Sequence, residues 1–148
     1  MSLLRFLRGA PRPNPAPDDP GTPVTRAEVL AHIARHNPHE GKARDAAGAL
    51  GRSFWRATNW RREAFPVASL PPLSPASARD VKRYARWRRE DGKPFPAVVI
   101  VRHAGGEVEL VDGAHRSGAA VMVGDATVDA FVGDYDPDGP APPGPDAA

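Results

Sequence analysis

Proline placement sets the first limit on what this chain can fold into. Most of its 18 prolines lie towards the two ends. The opening stretch, MSLLRFLRGAPRPNPAPDDPGTP, is Pro-rich and has no sustained periodic apolar pattern. The closing DYDPDGPAPPGPDAA is acidic, Pro/Gly-rich and without a large aliphatic residue. Neither end can bury enough apolar surface to offset its ordering entropy, so residues 1–24 and 134–148 are expected to be mobile. The ordered part is then 25–133, long enough for a core.

Within that part the pattern predicts helices first and a sheet later. TRAEVLAHIARHN opens on Thr25 with Glu28 three positions on, the spacing of a capping box. Val29, Leu30, Ile33 and Ala34 follow at helical spacing, which predicts a helix over 26–36. ARDAAGALGRSFWRATNWRREAF reads as a second helix or a pair of short ones, so 25–64 is expected to be a helical N-terminal extension. PVASLPPLSP looks extended, with room for a short strand before Pro71 and Pro72. Ser74 or Ser77 can cap a third helix, ARDVKRYARWRRE, with Val81, Tyr84 and Ala85 facing inward. FPAVVIVR is β-branched and almost continuously apolar, the mark of a buried strand. HAGG then turns it into EVELVD, giving a hairpin over 97–111. HRSGAAVMVG is helical, with Gly124 as its stop, and ATVDAFVG alternates as a last strand. The sum is an α+β domain over 65–133, a small mixed sheet with packed helices.

Composition excludes several kinds of chemistry. The chain has no cysteine, which removes disulfides, thiolate metal sites and cysteine nucleophiles and fits a reducing, cytoplasmic setting. No apolar run approaches the ~20 residues that span a bilayer, so no membrane partner is expected. His32, His36 and His39, with Glu40 nearby, have partly zinc-like spacing. Pro38 disrupts the geometry that would bring His39 round, and no metal site is expected. The net charge is only +2, but every charge after residue 124 is acidic. Basic residues gather at Arg52, Arg56, Arg61 and Arg62, and again from Arg79 to Lys93. Such asymmetry suggests either a polyanionic partner or an acidic tail folding back on a basic face.

The stretch ELVDGAHRSGAAVMVG carries the candidate chemistry. If Asp112 caps the helix, Gly113 and Ala114 open its first turn with free N–H groups. The helix start carries about half a positive charge, and Gly113 lets an anion approach the backbone. Arg116, its fork expected to point to solvent, would hold phosphate oxygens in two parallel hydrogen bonds. His115 would donate another hydrogen bond or move a proton. A plain Asp-Gly hairpin turn is the competing reading, and the helical periodicity after it weighs against that.

The same stretch resembles the phosphate-motif region of the ParB/sulfiredoxin superfamily, in which a strand leads into Gly-x-His-Arg, an Ala-rich helix and a closing strand. The resemblance extends upstream to FPVASLPPLSP and PFPAVVIVR and covers 65–133. It implies a nucleotide or phosphorylated ligand at Gly113, Ala114, His115 and Arg116, with a nucleoside triphosphate or diphosphate and Mg2+ as the cofactor. By the same resemblance the activity would be NTP hydrolysis or phosphotransfer to a small molecule, with Asp112 and His115 catalytic. Sulfiredoxin chemistry is excluded, because Ala114 stands where those enzymes have cysteine. Glu63 is the one candidate for the extra glutamate of the superfamily's serine kinases. The alternative is a non-catalytic module that binds DNA or RNA, or another protein, through its Arg-rich helices, with Arg83, Arg86 and Arg89 as its contacts.

Overall fold

The computed structural model describes residues 21–36, 50–72 and 78–141. The expectations for Ser74, Ser77, His39, Glu40, residues 1–20 and the last seven residues lie outside these. The described chain runs β1 (Thr22–Pro23), α1 (Arg26–His36), α2 (Arg52–Arg56), β2 (Ala57–Pro66), a 3-10 turn (Val67–Ser69), α3 (Ala78–Asp91), β3 (Val98–Arg102), β4 (Val108–Asp112), α4 (Ala114–Val123) and β5 (Thr127–Tyr135). The five strands form one mixed sheet in the order β1-β2-β5-β3-β4. Only β3 and β5 run parallel; the other neighbours are antiparallel. The protein is therefore α+β, with a mixed sheet and packed helices, as the sequence predicts.

Period-two alternation splits β3 between two cores. Val99 and Val101 join Val29 and Ile33 of α1, Phe54 and Trp55 of α2, and Trp60 on one face. Val98 and Ile100 join Ala120 of α4, Phe65, Val128, Ala130 and Val132 on the other. A strand buried on both sides explains why FPAVVIVR is almost uninterruptedly apolar. α3 tucks Val81 and Ala85 inward and packs on α4.

The local signals for helix ends are realised. Thr25 N–H donates to Glu28 Oε2 at 2.8 Å, and Glu28 N–H donates to Thr25 Oγ1 at 3.1 Å, completing the capping box. Gly124 closes α4 in the left-handed conformation, φ 78°.

The middle of the chain departs from the helical expectation. Residues 57–65 are strand, not helix, and β2 lies between β1 and β5 in the sheet. The boundary drawn at 64/65 thus falls inside a strand, and β1 and the end of β5 extend the sheet beyond 25–133. The physical reason is a bulge. Asn59 sits at φ 54° and the β2–β5 register shifts between Thr58 and Arg61. Ala57 and Trp60 therefore face the same core three residues apart, a spacing that mimics a helix. Val67–Ser69, expected to be extended, is the 3-10 turn that follows β2. Among the described residues no helix is long and apolar enough to cross a membrane.

Candidate functional site

Gly113 is the pivot between β4 and α4. It adopts φ 103°, a left-handed conformation that glycine takes without penalty. A Cβ there would also lie 2.6 Å from Val98 Cγ1, so backbone conformation and space both require glycine. Its carbonyl accepts the first helical hydrogen bond, from Ser117 N–H at 2.8 Å. The N-cap is thus Gly113 and not Asp112, and the N-cap residue has no side chain to contribute. Asp112 is still the last residue of β4, paired with Val99, which turns its carboxylate inward.

The carboxylate meets Arg116. Arg116 Nη2 donates to Asp112 Oδ2 at 3.0 Å, and Nη1 donates to Ala97 O at 2.7 Å and Pro96 O at 3.2 Å. Arg116 is 7% exposed and Asp112 5%. The expectation that the arginine fork points to solvent is corrected. Gly118, Ala119 and Ala120, all buried, let α4 sit close on the sheet, and that approach carries Arg116 beneath the helix. Arg116 fastens the Gly113 turn to the chain entering β3.

His115 takes the outward position instead. Its side chain is 36% exposed, with Nε2 3.7 Å from Asp80 Oδ2, and its ring stacks on Tyr84 at 5.9 Å. Ala114 is exposed beside it. A cavity of about 490 Å³, lined by Pro71, Pro72, Leu110 and Ala114, opens beside this helix start. Glu107 and Glu109 also line it. The sequence motif is therefore brought together, but its members divide. Gly113, Ala114 and His115 reach the surface, while Asp112 and Arg116 form the internal support.

The two basic stretches divide as well. Arg61 bonds Glu63 and Asp134, and Arg62 grips Asp129. Arg56 Nη1 donates to Pro137 O at 2.6 Å and to Gly139 O at 3.3 Å. The described start of the acidic tail is thus held by Arg56 of α2, and not by the basic residues of α3. Glu63 also meets Arg102 at 3.4 Å, which commits the candidate kinase glutamate to two arginines. Arg83, Arg86 and Arg89 are exposed on α3, although Arg83 bonds Asp80 at 3.0 Å.

Sequence reasoning weighed His32 only as a metal candidate and missed its hydrogen-bond partner. His32 Nε2 donates to Ala97 O at 2.7 Å, the same carbonyl that receives Arg116. Burial, the largest influence, pushes the His32 imidazole below its ordinary value of 6.5, and the Ala97 hydrogen bond opposes it. His32 and His36 are ring neighbours at 4.5 Å, but no three metal-ligating side chains cluster among the described residues. The regular spacing of His32 on α1 was legible; its partner, 65 positions away, was not.

The fold and this turn define an α+β protein with a strand–glycine–helix junction at one end of a mixed sheet. No protein-family model matches the sequence, and no curated protein matches it.

Proposed function

We propose that the protein is a ParB/sulfiredoxin-like domain that binds a phosphate-bearing ligand, a nucleotide by that resemblance, at the start of α4. The observation that carries the reading is Gly113: a left-handed glycine, with no side chain of its own, opens a ten-residue helix. A glycine at that position lets an anion approach the first turn and the positive end of the helix dipole closely. His115 stands beside that start and can add a hydrogen bond. Arg116 acts differently from the motif reading. It holds Asp112 and the chain before β3, so that the turn is rigid before a ligand arrives. The described residues supply no metal cluster, so Mg2+ would come coordinated by the ligand's own phosphates.

The test is a thermal-shift and calorimetric titration with nucleoside tri- and diphosphates and inorganic phosphate, each with and without magnesium. A ligand that binds only the folded protein raises Tm by mass action. His115→Ala should leave the unliganded Tm unchanged and weaken binding about tenfold, as expected for one hydrogen bond to a charged group. If none of these compounds shifts Tm or releases heat at millimolar concentration, the reading is wrong.

A further inference from the structure

The basic residues of α3 remain after the ion pairs of the sheet are accounted for. Lys82, Arg86 and Arg89 recur at spacings of four and three, which places them in one stripe about 10 Å long. All three are exposed, and Lys93, exposed two residues beyond the helix, continues the line. Among the described residues none of the four has an ion pair, whereas Arg56, Arg61 and Arg62 of the other basic stretch are all engaged. Asp80 is met by Arg83 and Asp125 by Arg88, so the acidic residues left on α3 are Glu90 and Asp91, at its end.

Trp87 lies on the other exposed flank of α3, about 130° round the helix from the centre of this stripe and next to Tyr84, whose ring also stacks on His115. It is 45% exposed, an unusual position for the largest apolar side chain. Its ring is held in place: Tyr84 meets it edge-on at 5.3 Å, and the Arg83 guanidinium sits 5.4 Å from its centroid. A fixed, half-exposed indole across the exposed surface of one helix from a cationic stripe offers a ring to an unstacked base and countercharges to the phosphates of the same strand.

We propose that the outer face of α3 binds single-stranded nucleic acid, with Lys82, Arg86 and Arg89 on the phosphates and Trp87 stacked on a base. A duplex would satisfy the cations but hide its base faces from the indole. An anionic membrane surface fits less well, because an interfacial helix buries a continuous apolar face, and this one exposes a single large ring. The proposal is independent of ligand binding at α4.

The experiment is fluorescence anisotropy of the full chain with a short labelled oligothymidylate, its RNA counterpart and a duplex of equal length. Three phosphates neutralised on a single strand give a slope of about −2 in log K against log salt. The triple substitution Lys82→Ala, Arg86→Ala, Arg89→Ala should bring that slope close to zero. Trp87→Ala should weaken binding about tenfold at every salt concentration without changing the slope, and Trp87→Phe should restore most of the loss. The triple variant should leave any thermal shift by nucleotides unchanged, which separates this face from the start of α4. Melting curves of each variant confirm the fold, and the Phe variant keeps the stacking test valid if the Ala variant is destabilised. The proposal is overturned if the unmodified protein binds no oligonucleotide at low salt, or if the triple variant binds as tightly with the same slope. Duplex binding that ignores Trp87, or binding to phosphatidylserine vesicles but not to oligonucleotides, overturns it equally.

Discussion

Asp112 and Arg116 lie four residues apart across the β4–α4 junction, and their place in one short motif was visible in the sequence, although the arginine was expected to face solvent. Their mutual burial was not visible. It depends on how closely α4 approaches the sheet, which Gly118, Ala119 and Ala120 set, and on carbonyls at Pro96 and Ala97 about twenty positions upstream. A guanidinium with three protein acceptors cannot be removed as freely as a surface ligand clamp. Arg116→Ala leaves the Asp112 carboxylate buried without this partner and should cost about 3–5 kcal/mol, read from urea unfolding. Arg116→Lys keeps the charge but loses the planar fork that spans Asp112 and Ala97, and should recover only part of the loss. A variant as stable as the unmodified protein would show that the arginine is dispensable to the fold.

At the scale of elements, the apolar texture of β3, the capping box of α1 and the glycine stop of α4 were legible because each is encoded within a few residues. β2 was not, because its bulge breaks the alternation that identifies a strand. The left-handed Asn59 shifts Trp60 onto the same side as Ala57, and Trp60 then covers Gly133 of β5, where a Cβ would lie 2.8 Å from the ring. From Arg61 onward the alternation resumes, but Arg, Glu and Ala are also good helix formers. Tertiary pairing with β5 decides between the two. Asn59→Gly should therefore preserve or slightly raise stability, because glycine accepts φ 54° without strain. Asn59→Val should lose roughly 1–2 kcal/mol, since a β-branched residue is penalised in that region. Thermal melts of the two variants on either side of the unmodified protein are the expected order; the reverse order would mean that the bulge does not govern β2.

For the whole molecule, three acids of the C-terminal part pair with arginines of the basic middle: Asp125 with Arg88, Asp129 with Arg62 and Asp134 with Arg61. The β2–β5 register sets Arg62 within reach of Asp129 and Arg61 within reach of Asp134, pairs that only the register could identify. A second long-range joint is the Ala97 carbonyl, which receives His32 from the α1 side and Arg116 from the α4 side. This joint makes stability depend on pH in a defined direction. Burial lowers the His32 pKa below 6.5, and His36, partly desolvated beside His32, is lowered too. Arg116 and Arg62 push the His32 value down further, while Asp112 pulls it up. A histidine with a lowered folded pKa binds its proton less readily folded than unfolded. Its contribution is complete above 6.5, where both states are neutral, and is lost as pH falls through 6.5 to the folded value. The urea midpoint should accordingly fall as pH is lowered from about 7 to 5, with a slope of up to about 1.4 kcal/mol per pH unit for each proton. His32→Gln keeps an N–H for Ala97 O but cannot take up a proton, so it should remove part of that slope. The remainder would belong to His36. An unchanged slope in His32→Gln would place the acid sensitivity elsewhere and leave the Ala97 joint without a role in it.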